Sequence, residues 1–187
     1  MTAILEILEV RQRLSPLSVE EYHRLEEFNE NGRRTELVRG IVIEKMSQSP
    51  LHRTVCSRLY KLLSAKLPPG YSIWKEEPLT LADSEPEPDI SVTLGNESTF
   101  EYQHPTTAEL VVEVAFSSAA LDRANATLYA ESGVKEYWIV LASKRQMEIY
   151  REPENGVYRR TFLLEDESIV SSAVLPILTF RLGDLFS

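Results

Sequence analysis

Residues 108–116, AELVVEVAF, are apolar on both strand faces except for Glu113, and this pattern constrains the chain more than any other. A strand solvated on one side alternates apolar and polar residues, whereas a strand covered on two sides stays apolar. The run is therefore predicted to lie in the middle of a sheet. The next segment supports layering. Ser117-Ser118 can cap a helix, Leu121, Ala124, Leu128 and Tyr129 recur at helical spacing as its inward stripe, and Gly133 can stop it. Glu136-Tyr137-Trp138-Ile139-Val140-Leu141 then reads as another strand. Strand, helix and strand form a right-handed crossover, which makes the two strands parallel.

Composition sets the frame. A chain of 187 residues with 43% hydrophobic content can bury a sizeable core and fits a single domain, 1–187, with residues 1–16 as an extended arm. The net charge of −9 argues against a broadly cationic nucleic-acid surface or a membrane-binding face, so any phosphate contact must be local. Cys56 is the only cysteine, which excludes an intramolecular disulfide and a cysteine-built zinc site and points to a reducing cytoplasm. The first residues do not follow the order of a secretory signal, and no run reaches membrane-spanning length.

The remaining elements follow from local signals. Ser18-Val19-Glu20-Glu21 reads as a capping box that opens a helix from Val19 toward Asn29, with Leu17 and Tyr22 as its staple and Asn29-Glu30-Asn31-Gly32 as its stop. Residues 35–45, TELVRGIVIEK, suggest two short strands about a tight turn at Gly40, or one bent strand. After the loop Ser47-Gln48-Ser49-Pro50, leucines and Val55 at helical spacing predict a helix ending at Pro68-Pro69-Gly70. Tyr71-Ser72-Ile73-Trp74 and Leu79-Thr80-Leu81 look like short strands, and residues 89–94 alternate as a third. Glu154-Asn155-Gly156 is a hairpin signal between residues 146–151 and 157–164. Trp74 and Phe100 are candidate exposed residues for the face of a homodimer.

Glu113 needs a reason, because burying an ionised carboxylate costs several kcal/mol unless it is paired or metal-bound. An arginine or lysine partner is one reason. The other is a metal: Mg²⁺ takes one or two carboxylates and keeps water and phosphate oxygens for the rest. Asp89, at the head of one strand, and Glu113, inside the next, can supply them, with the Val114 carbonyl as a third oxygen. Such an ion supports phosphodiester cleavage.

Glu36-Leu37-Val38-Arg39-Gly40, Glu87-Pro88-Asp89, Val112-Glu113-Val114, Tyr129-Ala130 before Gly133-Val134, and Glu136-Tyr137-Trp138 occur in this order, with Val174-Leu175-Pro176 and Leu185-Phe186 closing the chain. The ordered set resembles the "putative restriction endonuclease" family of unknown function, abundant in photosynthetic bacteria, within the PD-(D/E)XK nuclease superfamily. The likeness spans residues 18–186. It implies an α/β (α+β), restriction-endonuclease-like sandwich with a mixed central β-sheet flanked by helices. It further implies Asp89 and Glu113 as metal ligands, Glu36 as an additional active-site acid, Mg²⁺ (or Mn²⁺) as the ion and DNA as the substrate. His52 and Glu87 match accessory positions.

One departure bears on activity. The superfamily's lysine has typically moved, in this family, to the helix position four residues before the tyrosine matching Tyr129, and that position here is Asn125. The unmigrated position is Ala115. Arg123, on the same helix, lies two residues away and so points to another side, and Lys45 and Lys75 are the remaining substitutes. Asparagine can orient water or a phosphate oxygen but supplies no charge. The leading expectation is a Mg²⁺-dependent endonuclease with Asp89, Glu113, Glu36 and Asn125 as its catalytic set. The rival is an inactive or weak nuclease-fold binding or regulatory protein, and a purely structural α/β domain is third.

Overall fold

The two-sided apolar run becomes β5 (Leu110–Ala115), fully buried except at half-buried Glu113, in the computed structural model, which describes residues 6–26, 32–45, 48–116 and 119–187. The chain folds as two compact units, Met1–Lys45 with Ala82–Pro86, and Met46–Leu81 with Glu87–Ser187.

The larger unit is built on a six-stranded sheet in the order β3 (Tyr71–Trp74), β4 (Ile90–Leu94), β5, β6 (Glu136–Leu141), β7 (Gln146–Glu154) and β8 (Val157–Leu164). Only β5 and β6 are parallel, joined through α4 (Ala120–Glu131), while the other neighbours are antiparallel, so the sheet is mixed as expected. Alternation splits its side chains. Ile90, Val92, Val112, Val114, Trp138 and Val140 form one core with Val55, Leu59 and Leu63 of α3 (Pro50–Ser64). Pro50 at the first helical position and Ser49, whose hydroxyl accepts from the His52 amide, begin that helix. It stops at Ser64, short of the prolines, with Ala65 as C-cap. The opposite sheet face carries Val111, Glu113, Tyr137, Ile139 and Tyr150, and α4 packs over β6, β7 and β8. Asn155 (φ 52°) and Gly156 (φ 76°) take the two left-handed positions of the β7–β8 hairpin turn. A small pair, β9 (Ile169–Ser171) and β10 (Thr179–Arg181), follows.

In the smaller unit, α1 (Leu8–Arg11) is a single turn within the segment expected to be an extended arm. The capping box of α2 (Val19–Glu26) forms: the Ser18 amide donates to Glu21 at 2.8 Å, and the Glu21 amide donates to the Ser18 hydroxyl at 3.2 Å. Its expected stop at Asn29-Glu30-Asn31 lies outside the described residues, as do Ser47 and the Ser117-Ser118 cap. Of the two readings of residues 35–45, the hairpin is correct: β1 (Thr35–Val38) pairs with β2 (Ile41–Glu44). Gly40 turns it at φ +73°, and an added Cβ there would sit 2.4 Å from the Cβ of Pro16.

Three local expectations fail. Leu79-Thr80-Leu81 is not a strand; both leucines are buried, but the Thr80 amide pairs with the Pro105 carbonyl of an irregular loop at 2.9 Å. Leu121 and Ala124 face solvent, and the buried stripe of α4 is Asn125, Leu128, Tyr129 and Ala130. Trp74 and Phe100 are half-buried against each other, edge to face at 5.9 Å. No helix among the described residues is long and apolar enough to cross a membrane.

Between α4 and the sheet lies a tyrosine cluster, with ring centroids 4.9 Å apart for Tyr129 and Tyr137, 5.6 Å for Tyr137 and Tyr150, and 6.0 Å for Tyr150 and Tyr158. Burial, reinforced by the negative charge of Glu113, pushes the Tyr137 phenol well above its ordinary 10.0. Burial also raises Tyr150, helped by its hydrogen bond to Glu148, and Tyr158, helped by Glu136. A phenol raised on folding contributes stability that is intact below the unfolded pKa and is lost as pH rises beyond it. Stability should therefore fall from about pH 10 upward, by about 1.4 kcal/mol per pH unit for Tyr137 alone. Alkaline titration is expected to show tyrosinate absorbance from these residues rising together with loss of circular dichroism. Ionisation near pH 10 with the fold retained would contradict it.

Candidate active site

The antiparallel register of β4 and β5 pairs Ile90 with Val112, which brings Asp89, immediately before β4, beside Glu113. The two acids are interlocked through each other's backbone. The Asp89 amide donates to Glu113 Oε2 at 3.2 Å, and the Val114 amide donates to Asp89 Oδ2 at 2.7 Å. Each carboxylate also has a positioning side chain. His52, in the first turn of α3, meets Asp89 Oδ2 through Nε2 at 3.0 Å, and the Tyr129 hydroxyl donates to Glu113 Oε1 at 3.0 Å. His52 Nδ1 is buried without a hydrogen-bond partner among the described residues.

Neighbouring groups report the negative charge of this place. Cys56, whose thiol faces the Asp89 carbonyl at 3.8 Å, is pushed up to about 12 by burial and then by Asp89, so it is an inert thiol. Lys75, past the end of β3, is in electrostatic reach of Asp89. Burial opposes its charge, but the Glu76 carboxylate at 3.2 Å, with Cys56 and Asp89 beyond, holds the ammonium above its ordinary pKa.

The other expected residues are placed as follows. Asn125 is 5% exposed and stands one turn before Tyr129 on the same face of α4. Its side-chain amide makes no hydrogen bond among the described residues. Arg123 points elsewhere, as its spacing predicts, and clamps Glu148 with bonds of 2.6 to 3.1 Å. Glu87 is half-buried between Pro86 and Pro88. Glu36 belongs to the smaller unit, half-buried on β1 opposite Ile43. Sequence reasoning placed Tyr129 on the inward stripe of α4 and in the family motif but gave it no part in the site; its spacing of four from Asn125 was the available signal.

The donor set fits a hard divalent cation. Asp89 Oδ1 carries no hydrogen bond among the described residues, and it adjoins a second carboxylate. No group of three or more His, Cys, Asp or Glu side chains with metal-holding geometry occurs among the described residues. A two-carboxylate site suits Mg²⁺, which completes its shell with water and substrate oxygens.

Comparison with known proteins places the chain in a family. The crystal structure of a protein from Anabaena variabilis, described as "a putative nuclease belonging to DUF820", shares the fold with a TM-score of 0.75 at 19% identity, covering 91% of this chain and 98% of that one. At that identity the likeness speaks for the fold alone. No curated protein matches the chain. The family described as "Putative restriction endonuclease" (Uma2) matches over residues 19–183, and the chain therefore belongs to that family.

Proposed function

We propose that the protein is a metal-dependent endonuclease that hydrolyses DNA phosphodiester bonds at Asp89 and Glu113. The observation that carries the reading is the interlocked pair of acids, each fixed by its neighbour's backbone and by a side chain from a different helix. Asp89, Glu113 and the Val114 carbonyl would hold Mg²⁺ or Mn²⁺. The bound ion supplies a lowered water pKa and charge stabilisation at the phosphate. His52 fixes the rotamer of Asp89 and leaves Oδ1 to face a ligand. Tyr129 does the same for Glu113 through one oxygen. Asn125 offers an uncharged amide, suited to orienting a water or a phosphate oxygen. Lys75, which follows β3 next to Glu76, whose amide meets the Asp89 carbonyl at 3.3 Å, is the candidate cation in place of the missing helix lysine.

The replacement of lysine by Asn125 favours one second reading, a nuclease-fold protein that binds DNA without cutting it. Supercoiled plasmid incubated with Mg²⁺, Mn²⁺ or chelator separates the two. Nicking with either metal and none with chelator is expected. Lys75→Met should slow nicking about a hundredfold, the loss typical of one electrostatic stabiliser, while leaving the metal-induced rise in Tm in place. A metal-induced rise in Tm without nicking would instead establish the second reading.

A further inference from the structure

Between Glu44 and Glu76 the sequence has no aspartate or glutamate, although the chain carries 29 of them. α3 lies inside this stretch and brings Arg53, Arg58 and Lys61, with Lys66 in the turn after it. We propose that the outer face of α3 is the track on which the phosphate backbone of DNA lies as it leads to the Asp89–Glu113 site. The assignment rests on the nuclease reading of that site.

The cations face outward with their charges uncompensated. α3 buries Val55, Cys56, Leu59 and Leu63. At about 100° per residue, Lys61 stands opposite that stripe, with Arg53 on one flank and Arg58 on the other. Arg53, Lys61 and Lys66 are exposed and Arg58 is half-buried. The Arg53 and Lys61 side chains make no hydrogen bond or ion pair among the described residues. Arg58 donates to the Leu185 carbonyl at 3.1 Å and Lys66 to the Thr179 carbonyl, neutral acceptors that hold the side chains without cancelling their charge. Among the described residues, every other lysine and arginine of the larger unit except Lys144 is ion-paired to a carboxylate. A helix face that is only solvated mixes both signs, and this one does not. Ser57 and Ser64 fall between Arg53 and Lys61 around the helix and add hydroxyls of the kind that position phosphates.

The direction of α3 ties this face to the acids. His52 in its first turn meets Asp89 at 3.0 Å, and Arg53 is the next residue. At the other end, the Gly95 amide meets the Gly70 carbonyl at 2.8 Å, past the end of β4 remote from Asp89. The helix therefore leads away from the site for about 22 Å, at 1.5 Å per residue. A duplex carries one phosphate per strand for about every 3.4 Å of its axis, so a backbone laid along that length presents about six. An anionic membrane fits less well. An interfacial helix sets apolar side chains beside its cations, whereas the apolar stripe of α3 is spent on the core.

Fluorescence anisotropy of a short labelled duplex, titrated with the full chain in chelator at about 50 to 200 mM salt, tests the track. Each phosphate neutralised by a cation contributes about 0.9 to the slope of log affinity against log salt. Arg53→Gln with Lys61→Gln is therefore expected to make the slope shallower by about 1.8 and to weaken binding at least about tenfold, equally for duplexes of different sequence. Arg159→Gln with Arg160→Gln removes the same net charge from ion-paired surface positions and should leave the slope unchanged. An unchanged slope in the Arg53 and Lys61 double variant, or an equal change in the Arg159 and Arg160 double variant, would overturn the track. Wild-type protein that ignores the duplex but binds phosphatidylserine vesicles, and loses them in the Arg53 and Lys61 double variant, would replace DNA by a membrane. Plasmid nicking with the slope unchanged in that variant would overturn the track and keep the nuclease. The expected loss of slope without wild-type nicking in either metal would keep the track and sink the nuclease reading.

Discussion

Glu113→Gln is expected to lower metal-supported nicking by at least about a thousandfold, equivalent to about 4 kcal/mol of transition-state stabilisation. Glutamine has the volume of glutamate and keeps one oxygen to accept from the Asp89 amide or the Tyr129 hydroxyl. What it loses is the second negative oxygen, and with it the pair that a divalent ion requires. Stability should show the opposite trend. In the metal-free protein two like-charged carboxylates lie side by side in a half-buried place, so neutralising one removes repulsion. Glu113→Gln should then melt at or above the wild-type temperature in chelator. In Mg²⁺ the order should reverse, because an ion at a hundred times its Kd adds about 2.7 kcal/mol to the wild type alone. Asp89→Asn should behave alike. This crossing of melting temperatures is the diagnostic. If Glu113 were a structural group salt-bridged to a cation, the variant would be destabilised equally in chelator and in Mg²⁺, and the nuclease proposal would fail with it.

The sequence revealed the acids because an apolar strand with one carboxylate is an energetic contradiction visible without coordinates. The β7–β8 hairpin and the α2 capping box were visible for a related reason: Asn155-Gly156 and Ser18 with Glu21 act within a few residues of themselves. What stayed hidden depends on contacts across long separations. His52 and Asp89 are 37 residues apart, and nothing near either predicts their contact. Lys75 was one of several candidate cations, and that the end of β3 lies near Asp89, through the Glu76 amide at 3.3 Å, could not be read locally. On α4 the apolar periodicity misled. Leu128 and Tyr129 are inward as their spacing implied, but Leu121 and Ala124 face solvent and polar Asn125 takes the inward place instead. Leu79 and Leu81 misled differently: burial produced a strand-like signature on a backbone that pairs with a loop.

The second large effect lies away from the acids, at Glu136, which the motif contained without a stated role. Its side chain is 0% exposed at the start of β6. It accepts from Arg151 Nε at 2.6 Å, from the Ser172 hydroxyl at 2.6 Å and from the Ala173 amide at 3.0 Å. Arg151 reaches on to the Ser171 carbonyl and lies over the Phe162 ring at 5.5 Å, while the Ser172 hydroxyl accepts from the Leu175 amide. One carboxylate thus ties β6 and β7 to β9 and the turn after it. Glu136→Gln is expected to cost about 3 kcal/mol, the lower end for breaking a buried pair, since Arg151 at 24% exposure keeps some water. For a chain of this size that is a fall in Tm of about 6–12 °C. Arg151→Met should cost more, because it strands the charge that has no water at all. The double variant Glu136→Leu with Arg151→Met discriminates between causes. If desolvated charge dominates, the double variant should be less destabilised than Arg151→Met alone, because both charges leave together. If the hydrogen bonds to Ser172 and Ala173 dominate, it should be at least as unstable as Glu136→Gln. At temperatures where each variant stays folded, nicking rates should match the wild type, because no bond of this network touches Asp89 or Glu113 directly.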